Sequence, residues 1–176
     1  MQASTVAVLS DVHANTVALE AVLAELADVG PDLVVFGGDL TWGPEPEATL
    51  ALVDTLSMPT IFVRGNADRT LLADGDEPAE RKPWLLAQHS PEARARLASF
   101  VEQASVDVVG LGPVRFSHGS PRSDEEVVTS ETPEERVRAF KQGLDERVLV
   151  TAHTHLQFDR RVAGIRSINA GSVGMS

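Results

Sequence analysis

The chain has 176 residues, 43% hydrophobic and 23% charged, a balance that suits one folded domain spanning residues 1–176. It has no cysteine, so disulfides and thiolate metal ligands are excluded, and a formal net charge of −11 argues against stable nucleic-acid binding. Met1 runs almost directly into apolar sequence with no basic leader, and no apolar run nears the roughly 20 residues that span a bilayer. The expectation is a cytoplasmic protein without membrane insertion. An acidic chain can still hold an anion if bound cations reverse the local field.

Thr5 to Leu9 reads as a strand buried on both faces, because its small and β-branched residues do not alternate with polar ones. A helix follows from Thr16 to Val29, with Leu19, Val22, Leu23 and Leu26 at helical spacing, Asn15 as N-cap and Gly30-Pro31 as the stop. Leu33 to Phe36 is a second buried strand, Pro46 to Leu56 a second helix, and Thr60 to Val63 a third strand. Ala73 to Pro83 is acidic and Pro/Gly-containing, a surface excursion or hinge. A helix is expected from Pro91 to Glu102 with Leu97, Phe100 and Val101 as its apolar stripe. Short strands follow at Val106–Val109 and Val114–Phe116.

After His118 comes a polar loop, Gly119 to Glu131, and then Thr132-Pro133-Glu134-Glu135, which has the letters of a capping box opening a helix to Gln142. Val148 to Ala152 is a strand, and Gln157–Val162 with Ile165–Ile168 reads as a hairpin around Ala163-Gly164. His89, beside Pro91, reads as exposed, and Trp42 and Trp84 as packing residues. Strand–helix alternation in the first half predicts an α/β fold with a mostly parallel sheet and its ligands at the carboxyl ends of the strands.

Five polar segments stand at those ends: Ser10-Asp-Val-His13, Gly37-Gly-Asp39, Gly65-Asn-Ala-Asp68, Ser117-His-Gly119 and Thr151-Ala-His-Thr-His155. Asp11 with His13, and His153 with His155, are each two apart; in extended backbone such a pair faces one way. The glycines before Asp39 allow a sharp turn, and Asn66 supplies a neutral amide oxygen. Asp11, His13, Asp39, Asn66, His118, His153 and His155 are therefore candidate ligands. A bridging carboxylate would let them serve two ions roughly 3.5–4 Å apart. Mixed oxygen and imidazole donors suit Mn, Fe, Co, Ni or Zn, with Mn the first choice. Taken singly, these histidines could be structural, Asp11 and Asp39 could be helix caps, and Asn66 and Asp68 could form an Asx-turn.

The order D-x-H, G-D, G-N-x-D, H-G, x-H-x-H resembles the calcineurin-like metallophosphoesterase family. Flanking residues bring it near the small bacterial and archaeal phosphodiesterase branch: Ser10-Asp-Val-His-Ala-Asn15, Trp42-Gly-Pro44, Val63-Arg-Gly-Asn-Ala-Asp-Arg69, Ser117-His-Gly-Ser-Pro-Arg122 and Ile168-Asn-Ala-Gly-Ser-Val-Gly174. The resemblance implies a four-layer αββα sandwich of two mixed sheets flanked by helices. It assigns Asp11, His13 and His155 to one metal, Asn66, His118 and His153 to the other, and Asp39 to the bridge. A hydroxide between the ions would attack phosphorus in line, which makes Asp39, Asn66 and His118 the catalytic set. Asp68 would orient a ligand or loop, and Arg122 would reach a phosphate oxygen.

Two features depart from the pattern. Many members carry a proton-donating His where this chain has Ala67, so the expectation shifts toward phosphodiesters and activated esters with good leaving groups. The chain also stops just after Gly174 where such relatives continue through further strands, so a short version of the domain is expected. The expected substrate is a small phosphodiester or nucleotide, and a homo-oligomer is left open. The rival readings are a phosphatase or pyrophosphohydrolase on a small phosphometabolite, and a metal-binding scaffold without turnover.

Overall fold

A computed structural model describes residues 1–72 and 82–175. The excursion expected at Ala73–Pro83 therefore falls largely outside the described residues. The elements are β1 (Gln2–Ala3), β2 (Val6–Leu9), α1 (Thr16–Val29), β3 (Leu33–Phe36), α2 (Pro46–Val53), β4 (Thr60–Phe62), α3 (Asn66–Leu72), α4 (Lys82–Gln88), α5 (Pro91–Ala98), β5 (Gln103–Val108), β6 (Gly112–Ser117), α6 (Glu134–Lys141), β7 (Val148–Thr151), β8 (Phe158–Val162) and β9 (Ile165–Asn169). They build a mixed α/β fold with two sheets and helices. No helix among the described residues is long and apolar enough to cross a membrane.

One sheet has the order β2-β3-β4 and the other β1-β5-β6-β7-β9-β8. The larger sheet is mixed; the smaller is parallel throughout, where the resemblance implied two mixed sheets. Its connections through α1 and α2 are crossovers, which parallel neighbours require.

Strand alternation sorts the core into layers. From β3, Leu33 and Val35 pack with Val106, Val114, Phe116, Val148 and Val150 between the sheets. Val34 and Phe36 point the other way, against Leu19, Leu26, Leu50, Leu97 and Phe100 of the helical side. Leu149 leaves the inter-sheet layer to meet Val137 and Phe140 of α6. Burying each such side chain contributes about 1.5–3 kcal/mol.

Helix α1 begins and ends where its letters say: Asn15 Oδ1 accepts from the Ala18 N–H at 3.1 Å, and Gly30 closes it at φ +59°. The capping box at Thr132 does not form. Pro133 is extended (φ −57°, ψ 141°) and stands before the helix, and Thr132 Oγ1 instead accepts from the Thr129 N–H at 2.8 Å. Helix α5 is shorter than expected, and Val101 leaves its apolar stripe to bridge with Val63. Helices α3 and α4 were not legible. The second explains His89, which is 3% exposed rather than on the surface: Nδ1 lies 2.8 Å from the Leu85 carbonyl and Nε2 3.0 Å from Thr41 Oγ1. Trp42 packs partly against the helical core, whereas Trp84 is exposed.

Strands β2, β3 and β4 in one sheet, and β6 and β7 in the other, end at a common edge, where the His118 carbonyl accepts from the Ala152 N–H at 2.8 Å and His118 Nδ1 reaches the Gly37 carbonyl at 2.7 Å. All five polar segments occupy this edge.

Candidate metal centre

The backbone that presents these side chains is left-handed. Among the described residues, the non-glycine residues with positive φ are Asp11, His13, Ala14, Asp39, His153, His155 and, in the β8–β9 turn, Ala163. Left-handed geometry costs an L-residue roughly 1–2 kcal/mol, so six such residues at one edge is a concentration of strain. It also corrects the expected aiming device: the pairs Asp11/His13 and His153/His155 converge through left-handed turns, not extended alternation. Gly38 (φ +104°) and Gly65 make the crowding tolerable. A Cβ at Gly38 would stand 2.5 Å from His118 Nδ1, and one at Gly65 2.1 Å from Asp39 Oδ1.

Two clusters result. Asp11, His13 and His155 form one, and Asp39, His118 and His153 the other; within each, one donor atom per residue lies within 4.8 Å of the rest. Asp39 faces both, its Oδ2 3.8 Å from His13 Nε2 and 3.5 Å from His118 Nε2. Asn66, the first residue of α3, joins the second cluster with Oδ1 3.0 Å from His118 Nε2. Every expected ligand is thus brought to one place.

The donor set fits divalent cations. Asp11 Oδ1 is buried with no hydrogen-bond partner, while Oδ2 accepts from Ser10 Oγ at 2.7 Å and the His153 N–H at 3.2 Å. The orphaned oxygen lies 3.3 Å from His155 Nε2, which itself faces His13 Nε2 at 3.3 Å. Opposed imidazole nitrogens beside an unpaired carboxylate oxygen suit a shared positive charge. The Gly37 carbonyl accepts a hydrogen bond from Nδ1–H of His118 at 2.7 Å, which leaves Nε2 as the nitrogen that faces the cluster and can bind a cation.

Electrostatics agree. Burial raises the Asp11 carboxyl above its ordinary value, against the pull of His118 and Ser10. Burial alone would lower His118, but the Asp39 hydrogen bond and charge, with Asp11 beyond, hold it up at about 9. Asp39 is lowered: burial opposes ionisation, and His118, His13 and the Ala67 N–H outweigh it. His153 is lowered by burial and by the neighbouring His118.

Asp68 is fully buried behind the ligands. Its Oδ2 accepts from the Asp39 and Gly65 N–H groups at 2.9 Å each, and Oδ1 from Leu40 at 3.1 Å. Burial and the Asp39 charge push it up to about 7. Asn169 is a buried residue whose role was not foreseen: Nδ2 donates to the Ala152 carbonyl at 2.7 Å and Thr154 Oγ1 at 3.1 Å, fixing the loop that carries His153 and His155. Its letter stood in the Ile168–Gly174 motif, but only the fold shows what it holds.

A family model described as a calcineurin-like phosphoesterase superfamily domain matches residues 5–176. The chain belongs to this superfamily. Among solved structures, a hypothetical protein from Pyrococcus horikoshii is similar with TM-score 0.83 at 19% identity, over 99% of this chain and 78% of that one. A metallophosphoesterase from Sphaerobacter thermophilus has TM-score 0.74 and 27% identity, over 98% and 78%. Vacuolar protein sorting 29 from Cryptosporidium parvum has TM-score 0.60 and 17% identity, over 98% and 76%. The first and third show likeness of fold alone. A search of curated proteins finds no match.

In this superfamily member a cavity of about 250 Å³ opens beside His118, walled by Arg64, Arg69 and Arg122 with Glu102 and Asp124. Arg122, expected to reach phosphate, is engaged by Glu126 through Nε at 3.2 Å and Nη2 at 2.5 Å. Glu126 also accepts from Ser120 and from Arg136, so it ties the loop after His118 together. Burial would raise the Glu126 carboxyl, but Arg122, Ser120 and Arg136 hold it down at about 2.

Proposed function

We propose that the chain is a dinuclear-metal phosphoesterase that hydrolyses phosphodiester bonds. The observation that carries this reading is Asp39 Oδ2, one carboxylate oxygen within 4 Å of an imidazole nitrogen from each cluster. Asp11, His13 and His155 would hold one cation, Asn66, His118 and His153 the other, with Asp39 shared and manganese the working ion. Bound there, the cations would supply Lewis acidity at a phosphoryl oxygen and a nucleophilic water at neutral pH. The chain's own contribution is to hold the donors in place. Gly37 sets the His118 tautomer, Asp68 ties the Asp39 and Gly65 turns together, and Asn169 fixes the His153–His155 loop.

Ala67 gives no proton to a departing oxygen, which supports diesters with good leaving groups over general monoesters. The same residue is what favours a second reading, a scaffold that binds metal without turnover. The complete donor set weighs against it, since a scaffold has no chemical need of every ligand.

The test is hydrolysis of bis-p-nitrophenyl phosphate against p-nitrophenyl phosphate with added manganese. The diester should be the better substrate, and chelator or Asp39→Asn should reduce its turnover by at least about a hundredfold. Monoester preference would move the assignment to a phosphatase or pyrophosphohydrolase. Tight metal binding without turnover would move it to the scaffold, and no bound metal after reconstitution would remove the proposal.

A further inference from the structure

We propose that the cavity beside His118 is a subsite for a second phosphate group, so that the preferred substrates are phosphodiesters that also carry a phosphomonoester. The inference rests on the phosphodiesterase reading and adds the substrate class. Of the candidate ligands only His118 stands in the cavity wall, so the space lies next to the reacting centre and not on it.

Arg64, just past β4, and Arg69, on α3, approach the cavity from separate elements. Arg64 spends only Nη2, on Glu102 at 2.8 Å; its side chain is 22% exposed and that of Glu102 79%, so the guanidinium faces inward while its partner is solvated. Arg69 is held by Asp124 through Nε and Nη2, and by Glu125 through Nη2. Among the described residues, Nε and Nη1 of Arg64 and Nη1 of Arg69 take no hydrogen-bond partner. Ion pairs that orient a guanidinium yet leave it donors prepare it to receive an anion at little cost in side-chain entropy.

The size and shape narrow that anion. About 250 Å³ is the share of roughly eight waters at about 30 Å³ each, below the roughly 300 Å³ where organic-ligand pockets begin. A phosphate with its bridging waters fits that space. A planar carboxylate is satisfied by one guanidinium fork, whereas two guanidiniums from different directions suit a tetrahedral dianion. Arg122 is drawn away by Glu126 through Nε and Nη2 and its side chain is 48% exposed, so it stands at the cavity's outer wall beside the two inward arginines.

The experiment compares thymidine 5′-(p-nitrophenyl phosphate) with the same ester bearing a 3′-phosphate, using the manganese-loaded protein. The kcat/KM ratio should favour the 3′-phosphorylated ester by about tenfold or more, the worth of one charge-assisted contact. Arg64→Gln and Arg69→Gln should each lower that ratio about tenfold, and Arg161→Gln on β8 should not change it. In parallel, calorimetry on wild type and Arg64→Gln compares binding of thymidine 3′,5′-bisphosphate with that of the 5′-monophosphate. Equal hydrolysis of the two esters, or an Arg64→Gln loss shared alike by both, overturns the subsite and leaves the diesterase reading standing. No hydrolysis of either ester, with bisphosphate bound more tightly by wild type and the advantage lost in Arg64→Gln, supports the subsite and sinks the diesterase reading. Absence of both turnover and a binding difference sinks both readings.

Discussion

Two sets of short turns in this protein follow β-strands, and they could hardly differ more. The β8–β9 hairpin turns at Ala163-Gly164 with one left-handed non-glycine residue, and its charges lie outside, as in the pair Arg166 Nη2 to Asp159 Oδ2 at 2.5 Å. The edge that carries the candidate metal centre has six left-handed non-glycine residues and buries Asp11, Asp39, Asp68 and His118. The hairpin settles its polar groups with an exposed ion pair and a few bonds to neighbouring segments, such as Lys141 Nζ donating to the Ala163 carbonyl at 2.8 Å. The centre holds its groups in unfavourable backbone because surrounding hydrogen bonds leave no alternative. Among the described residues, strain and buried charge coincide where the candidate metal donors converge, and this is what ties the geometry to function.

The contrast is sharpest at Asp68. Asp68→Leu strands the N–H groups of Asp39, Leu40 and Gly65 at once, and at about 1–3 kcal/mol per orphaned donor the loss should reach several kcal/mol in urea unfolding. A small change would mean that the turns are held by something other than this carboxylate. Next in size is the cation itself. Manganese at 100 times its dissociation constant should stabilise the metal-free protein by about 2.7 kcal/mol per site, and Asp39→Asn should remove most of that gain in a thermal melt. An equal gain in the variant would place the ions elsewhere.

A third effect is set by pH, away from the centre. The Glu126 carboxyl is lowered to about 2 from an ordinary 4.5, so its contribution is fully present above 4.5 and is lost as pH falls through about 2. Glu126→Gln should therefore lower Tm at pH 7, with the gap to wild type closing as pH drops below 4.5. A gap that widens with acid would contradict the ion-pair account. The smallest effect belongs to the hairpin: Arg166→Ala should change stability by no more than about 1 kcal/mol, less in high salt. A larger loss would show that exposed charges matter as much here as buried ones.

Local signals were legible where local chemistry decides. Asn15 and Gly30 bound α1 because a side-chain cap and a left-handed glycine act within a few residues. The runs at Val6–Leu9 and Leu33–Phe36 announced strands, of which the second is buried throughout and the first only partly, and the order of Asp, Asn and His letters announced the donors that converge. Other signals misled because packing overrode them. Thr132 had the letters of a cap but bonds to Thr129, and His89 sat among polar neighbours but is enclosed by α4 and Thr41. Arg64 and Arg69 could be read equally as surface ion pairs or as phosphate contacts until the cavity was seen.

The amino-acid order by itself determined that this is an α/β chain of the calcineurin-like superfamily, and which side chains offer metal donors. That follows because hydrophobic period, glycine placement and donor chemistry are written residue by residue. Only the tertiary structure decided that Asp39 faces both clusters, that left-handed turns do the aiming, and that Arg64, Arg69 and Arg122 line one cavity beside His118. Those facts depend on distances between residues far apart in the chain, and such distances exist only once two sheets have packed face to face.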